Sequence, residues 1–274
     1  MPASPPLPTL PERLRAGRAL GGWCTFRSFA CAELMAHVGY DFLVFDLQHG
    51  ELALSDFPAL LGALNGTGVH PVVRVPQNDP HAIHACLDLG ASGAIVPSVD
   101  GVDDARRAVA AAKYPPLGRR SFGPYRSSGY GRDVAGATAR ADRDTALILQ
   151  LESAAAVKAA PEIAALPGVD AVMMGPNDLA FSLLGPGQSV LDATAPCAGA
   201  AGGAVNFTTF ARTPRVLALC ADALAAARGA GKPFGMTAGT VAEAREWFDR
   251  GAAFATCGSD WGLLRAAALR HLEG

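Results

Sequence analysis

The sequence predicts a single-domain α/β chain folded as a (β/α)8 TIM barrel, and three observations carry that expectation. Eight short apolar runs recur along 274 residues, about 34 residues per unit, a comfortable period for one strand and one helix. Each run is apolar on both faces, as a parallel strand covered by helices must be. The Gly-rich fingerprint G-x-G-x-x-G, expected after an early strand of a doubly wound sheet, is absent.

Taken in order, residues 1–18 read as a Pro-rich N-terminal arm, and 19–274 as the barrel domain. The strands are expected at 19–26, 42–47, 71–75, 93–98, 146–152, 171–175, 234–238 and 254–258. Amphipathic helical stretches, such as 79–89, 102–113, 154–166, 214–230 and 241–250, are expected between them. Small glycine units such as Val38-Gly39-Tyr40, Leu89-Gly90-Ala91 and Pro167-Gly168-Val169 punctuate the passage from helix to strand. Glycine just past a helix end supplies the left-handed cap there. Two connections are long. One contains the Gly/Pro/Arg/Ser-rich segment 114–132; the other contains an extended Gly/Ala-rich loop after strand 6, residues 184–211. Long irregular connections are usually lids or binding loops, so both are expected near the active face.

Composition bounds the partners. With 23 basic and 25 acidic side chains, no electrostatic case exists for nucleic acid or a membrane surface. The longest uncharged run, residues 193–211, is broken by Pro196, glycines and polar groups, so no transmembrane helix is expected. The N-terminus lacks the basic start and apolar core of a secretion signal. Six scattered cysteines without a C-x-x-C pair read as reduced thiols, and the expected location is cytoplasmic.

Barrel chemistry sits where the strands end. Strand 2 runs into Asp46-Leu47-Gln48-His49-Gly50, and strand 3 contains Val73-Arg74-Val75. Strand 5 closes Gln150-Leu151-Glu152, and strand 6 closes Gly175-Pro176-Asn177-Asp178. Glu152 and Asp178 offer hard oxygen ligands for a divalent metal. Arg74 on an apolar strand needs an anion, which a substrate carboxylate would supply as a bidentate partner. His49 can exchange a proton near neutral pH. A metal, a carboxylate clamp and a base together describe proton or carbon–carbon chemistry beside a carbonyl, with an enolate held on the metal.

Each side chain also has a plainer role open to it. Asp178 can be a helix N-cap, Arg74 can close a structural salt bridge, and His49 can be an ordinary loop histidine. His81 and His84, at i, i+3, read as solvent-facing rather than metal-binding. Lys113 and Lys232 sit at helix ends, where a cation suits the dipole. No lysine lies inside a strand, which argues against Schiff-base chemistry.

Several stretches resemble the HpcH/HpaI aldolase family of metal-dependent pyruvate-type aldolases. They are Glu33-Leu-Met-Ala-His-Val-Gly-Tyr-Asp41, Phe45-Asp-Leu-Gln-His-Gly50, Val72-Val-Arg-Val-Pro76 and Leu87-Asp-Leu-Gly-Ala91. Tyr114-Pro-Pro-Leu-Gly-Arg-Arg120, Gln150-Leu-Glu152, Gly175-Pro-Asn-Asp-Leu179 and Gly258-Ser-Asp260 complete the set, which spans nearly the whole chain. The resemblance implies a barrel, often hexameric, that joins or splits an aldehyde and a pyruvate enolate. It places a metal (Mg²⁺, Mn²⁺ or Co²⁺) on Glu152 and Asp178, polarisation of the keto acid on Arg74, and the base on His49. Gln150 and Gln48 would line the pocket, and the backbone around Gly175 and Pro176, with Asn177, would hold the substrate carboxylate. That last role competes with Arg74. The family pairs its histidine with an aspartate at the position of Asp88. Asp88 at a helix end would reach a histidine from a neighbouring subunit, or Asp46 would orient His49 instead.

Two departures stand out. The family's Asp-x-Glu-His reads Asp46-Leu47-Gln48-His49 here, and segment 184–211 is longer and richer in Gly and Ala. The expected function is a divalent-metal-dependent aldolase cleaving or forming 4-hydroxy-2-oxo acids, with pyruvate or oxaloacetate and an aldehyde as small-molecule partners, in a homo-oligomer. The alternatives are a related synthase or lyase using oxaloacetate or an acyl-CoA, with Arg119, Arg120, Arg126 and Arg132 as its basic mouth, and a non-catalytic binding barrel.

Overall fold

A computed structural model describes residues 7–188 and 212–273. Eight parallel strands close on themselves in chain order, the first pairing with the eighth. They are β1 (Ala19–Cys24), β2 (Phe42–Asp46), β3 (His70–Arg74), β4 (Gly93–Val96), β5 (Ala146–Leu151), β6 (Ala171–Met174), β7 (Phe234–Ala238) and β8 (Phe254–Ser259). All eight fall where the apolar runs predict, within a residue or two at their ends. No helix among the described residues is long and apolar enough to cross a membrane.

The helices are α1 (Leu10–Ala16), α2 (Phe29–His37), α3 (Phe57–Ala63), α4 (Pro80–Asp88), α5 (Val102–Ala112) and α6 (Val134–Asp144). They continue with α7 (Ala154–Ala165), α8 (Pro176–Ser182), α9 (Pro214–Gly229), α10 (Val241–Arg250) and α11 (Asp260–Glu273). Capping residues set their starts: Ser28, Asp79, Ser153, Thr213 and Thr240 each accept a first-turn N–H. Glycines such as Gly39 and Gly90, both at φ 104, turn the chain out of a helix toward the next strand.

Two apolar layers hold the barrel. Leu43, Phe45, Val73, Leu147, Leu149 and Val172 point outward to the helices. Phe42, Val44, Val72, Ile95, Ile148, Met173 and Phe254 fill the interior. Gly21 and Gly235 make room for the two interior rings: a Cβ on either would come within 2.1 Å of Phe42 or Phe254.

The structure departs from the sequence reading in three places. Within the supposed arm, α1 starts at a Thr9–Glu12 capping box and buries Leu10 and Leu14 in the interior cluster, so it closes the barrel floor. Helix α6 is not among the predicted stretches: its inward face consists of Val134, Ala137, Thr138 and Ala141, small side chains that are only half-buried. Segment 114–132 follows α5 and precedes β5, so it lies at the floor, opposite the strand ends, where Tyr114, Arg120 and Pro124 line a hollow with Ser92 and Thr145. A chain leaving a helix of a βα unit is necessarily at the strand-start end. The loop after strand 6 lies, from residue 189 to 211, outside the described residues.

Candidate active site

Alternation along each strand decides which side chains reach the barrel axis. With Phe42 and Val44 inside, Asp46 comes next on β2; with Val72 inside, Arg74 follows on β3. Ala146 and Ile148 put Gln150 in the same upper layer of β5, and Glu152 lies just above. The polar layer is therefore the continuation of the apolar one, at the carboxyl ends of the strands.

Asp46 and Arg74 are register partners and form a buried fork, Nε–Oδ1 2.9 Å and Nη2–Oδ2 2.5 Å. Cζ of Arg74 stands 4.5 Å from the ring centre of Trp23, a cation–π contact. The anion that Arg74 requires is thus in its own chain, and the substrate carboxylate is not needed as its bidentate partner. Oδ1 of Asp46 also accepts the backbone N–H groups of Gln48 (3.0 Å) and His49 (3.2 Å). Asp46 therefore holds the loop that carries His49, rather than the imidazole itself. The His49 side chain is exposed on a cleft of about 510 Å³, and no hydrogen-bond partner of its ring is found among the described residues. Gln48 leaves its Oε1 buried without a partner among the described residues.

Glu152 is 7 % exposed. Its Oε1 accepts from the N–H (2.6 Å) and hydroxyl (2.9 Å) of Ser98, and its Oε2 from Nε2 of Gln150 (2.5 Å). Burial pushes this carboxyl above the usual range; the charge of Asp178 adds to the rise, and the bonds from Ser98 and Gln150 oppose it. Oε1 of Gln150 is buried and has no partner among the described residues. Gly175 lies against this group, since a Cβ there would come within 2.7 Å of Glu152 Oε2 and 2.8 Å of Gln150 Nε2. The N–H of Gly175 is spent on Leu151 O (3.0 Å) and Pro176 has none. The donors left to a ligand at the start of α8 are those of Asn177 and Asp178. Asp178, exposed to the cleft, carries the second carboxylate.

These residues fit a divalent cation. Two carboxylates lie close enough to couple, one keeps a free acceptor site among its four, and a neighbouring amide oxygen has no partner. No group of three or more His, Cys, Asp or Glu side chains gathers among the described residues. A two-carboxylate site completed by water and substrate oxygens suits Mg²⁺ better than a soft metal.

Other candidates fall elsewhere. Asp88 ends α4 at the floor and binds Arg120 at 2.6 Å, so it does not meet His49 within the chain. Arg119, Arg120, Arg126 and Arg132 all belong to the floor segment and make no basic mouth. The rings of His81 and His84 stand edge to face on α4, 5.2 Å apart. Lys113 is buried and paired with Asp170 at 2.7 Å. Cys24, Cys86, Cys220 and Cys257 are buried free thiols and Cys31 a half-buried one.

Several site residues were not singled out from sequence. Trp23, Thr25, Phe181, Thr237, Ser259 and Trp261 line the cleft. Asp260 fixes the β1 end through Thr25 N (2.7 Å), Thr25 Oγ1 (2.6 Å) and Phe26 N (2.9 Å). Ser98, the partner of Glu152, sits at φ 54, a region that non-glycine residues rarely enter. The available signal was position: all but Phe181, which lies on α8, are at or just beyond strand ends.

The chain resembles known proteins along nearly its whole length. The family model described as "HpcH/HpaI aldolase/citrate lyase" matches residues 20–267. The chain is 34 % identical over 255 residues to a 2-dehydro-3,6-dideoxy-6-sulfogluconate aldolase of Pseudomonas putida, covering 93 % of this chain and 91 % of that one. It is 33 % identical over 267 residues to a 5-keto-4-deoxy-D-glucarate aldolase of Shigella boydii, covering 95 % of each. A crystal structure of an HpcH/HpaI aldolase/citrate lyase family protein from Burkholderia cenocepacia superposes with a TM-score of 0.82 at 32 % identity, covering 96 % of this chain and 97 % of that one.

Proposed function

The chain belongs to the HpcH/HpaI aldolase/citrate lyase family and is a carbon–carbon lyase of the aldolase kind, and from that premise we propose the reaction and the role of each residue. It acts on small-molecule keto acids. The reaction is reversible cleavage of a 4-hydroxy-2-oxo acid into pyruvate and an aldehyde, dependent on Mg²⁺, Mn²⁺ or Co²⁺. The observation that carries this reading is the single cleft into which Asp46-anchored Arg74, His49, Gln150 and Asp178 open, with Glu152 behind Gly175.

In the cleavage direction the C4 hydroxyl loses its proton and the C3–C4 bond breaks. Its electron pair becomes the enolate of pyruvate, and C4 leaves as the aldehyde carbonyl. The enolate then takes a proton at C3 and becomes the methyl group. The N–H groups of Asn177 and Asp178 hold the substrate carboxylate. Arg74, fixed by Asp46 and Trp23, turns its remaining N–H donors to the keto oxygen, where negative charge grows. His49 moves the proton, directly or through one water. Glu152 and Asp178 hold the cation, which when bound supplies fixed positive charge beside the keto group. The same enolate arises when oxaloacetate loses CO₂, so decarboxylation follows as a side activity.

Glu152→Ala and Asp178→Ala test the assignment. Each is expected to lower cation-dependent pyruvate release by about a thousandfold, with the circular dichroism of a folded barrel retained. Unchanged turnover would place the cation elsewhere. The exposed apolar side chains of α2 and α11, Leu34 (62 %), Leu264 (64 %) and Leu272 (81 %) among them, support a homo-oligomer.

A further inference from the structure

The turn that follows β4 is zipped to the end of β5. The N–H of Val99 donates to Gln150 O at 3.3 Å, and Ser153 Oγ donates to Asp100 Oδ1 at 2.5 Å. Between these contacts, Ser98 turns both of its donors, the N–H (2.6 Å) and the hydroxyl (2.9 Å), to one oxygen of Glu152, Oε1. The chain makes this arrangement with Ser98 at φ 54, between the buried Pro97 and Val99. A serine persists at such a backbone angle only where its surroundings over-determine it, and the bonds to Glu152 and Gln150 supply that constraint.

A carboxylate has about four acceptor positions, two on each oxygen. Ser98 fills both on Oε1, and Nε2 of Gln150 takes one on Oε2 at 2.5 Å. The position left is on Oε2, the oxygen that lies against Gly175, where α8 begins and carries Asp178 in its first turn. With Oε1 closed, Glu152 has a single oxygen to offer a cation. Divalent cations differ in what they ask of a carboxylate. Ca²⁺ takes about six to eight oxygens and readily accepts both from one carboxylate, whereas Mg²⁺ keeps an octahedron of single oxygens, several of them water. Mn²⁺ shares the octahedral preference.

We propose that Ser98 is a positioning residue that sets the cation preference of this chain: by closing Oε1 of Glu152 it enforces one-oxygen ligation through Oε2 and disfavours Ca²⁺ against Mg²⁺ and Mn²⁺. This rests on the aldolase reading, which places the cation on Glu152 and Asp178. The hydroxyl acts because it is tied to the backbone. A water in its place would be displaced by the cation, which opens Oε1 to a second bond.

The test is competition for Mn²⁺ on the full chain without substrate. The electron paramagnetic resonance signal of free Mn²⁺ gives its affinity, and displacement by Mg²⁺ and by Ca²⁺ gives the ratio of their dissociation constants. Wild type is expected to prefer Mg²⁺ to Ca²⁺ by about tenfold or more. Ser98→Ala removes only the hydroxyl and is expected to narrow that ratio by about fivefold, chiefly through tighter Ca²⁺ binding. Ser98→Gly removes the same hydroxyl and relieves the left-handed backbone, so it is expected to show the same shift and to melt no lower than Ser98→Ala in chelator. A merely structural serine would alter melting and leave the ratio where it was. An unchanged ratio in both variants, a wild type that binds Ca²⁺ as well as Mg²⁺, or a narrowing that comes from weaker Mg²⁺ alone overturns the proposal. Glu152→Ala, titrated alongside, is expected to lose Mn²⁺ binding. If it keeps wild-type affinity, the placement of the cation fails and the inference with it, while deuterium exchange into pyruvate reports on the aldolase chemistry separately.

Discussion

At Glu152 a buried carboxylate, raised in pKa, is held ready beside a second one. The sign of its effect on stability follows from linkage. A carboxyl whose pKa is raised by folding binds its proton more tightly in the native chain. Its charged form therefore destabilises the cation-free fold above that pKa, and the burden disappears as pH falls through it. Glu152→Gln keeps an oxygen for both Ser98 donors, and Gln150 can turn its unpaired Oε1 toward the new amide. Without divalent cation, this variant is expected to melt about 2–4 °C higher than wild type near pH 8, with the gap closing toward about pH 4. Differential scanning calorimetry with chelator decides it; a lower melting temperature at both pH values would contradict the burial argument. His49→Ala should depress proton exchange far more than cation affinity, read by calorimetric titration with Mn²⁺. Equal losses would recast His49 as a structural residue. At this scale the sequence was legible for the positions of Arg74 at the end of β3, Glu152 just past β5, and His49 and Asp178 on the segments that follow β2 and β6, because each is a polar residue at or after an apolar run. It was not legible for Ser98 or for the anion of Arg74, since pairing across β2 and β3 depends on register.

The strands carry the site because the same alternation that buries Phe42, Val72 and Ile148 inside the barrel delivers Asp46, Arg74 and Gln150 one layer higher. Breaking the layer should be felt as folding energy. Asp46→Ala leaves Arg74 buried without its fork, and removal of one partner of such a pair destabilises by about 3–5 kcal/mol. Urea unfolding checks this, and a loss below about 1 kcal/mol would mean that the pair is effectively solvated. Gly175→Ala tests the close approach at the start of α8, because the added Cβ meets Glu152 and Gln150. It is expected to lower cation affinity at least tenfold while the barrel stays folded. Unaltered affinity would show that the neighbouring side chains move aside freely. Strand positions were readable from apolar runs, whereas the side on which a connection lies depends on chain direction. That is why segment 114–132, resembling a lid in composition, stands at the floor.

Over the whole molecule, a closed ring of parallel strands leaves one end for chemistry and the other to be plugged. Helix α1 does the plugging with Leu10 and Leu14, each 1 % exposed. Leu10→Ala is expected to destabilise by about 2–5 kcal/mol through the cavity it leaves, measured by chemical denaturation. A loss under about 0.5 kcal/mol would return residues 1–18 to the status of a free arm. The sequence reading missed this because prolines at 2, 5, 6 and 8 mask a single helical turn pair. Barrel closure itself was readable, since eight apolar runs average about 34 residues per unit and the Gly-rich fingerprint of a doubly wound sheet is absent.

The central claim is that the strand-end cleft generates a pyruvate enolate with the help of a divalent cation. Deuterium incorporation into the methyl group of pyruvate, followed by NMR in D₂O with Mn²⁺ or Mg²⁺ and again with excess chelator, tests it most directly. Exchange that requires the cation and fails in Glu152→Ala is the predicted result. Absence of exchange with either cation, in protein shown to be folded, would contradict the account.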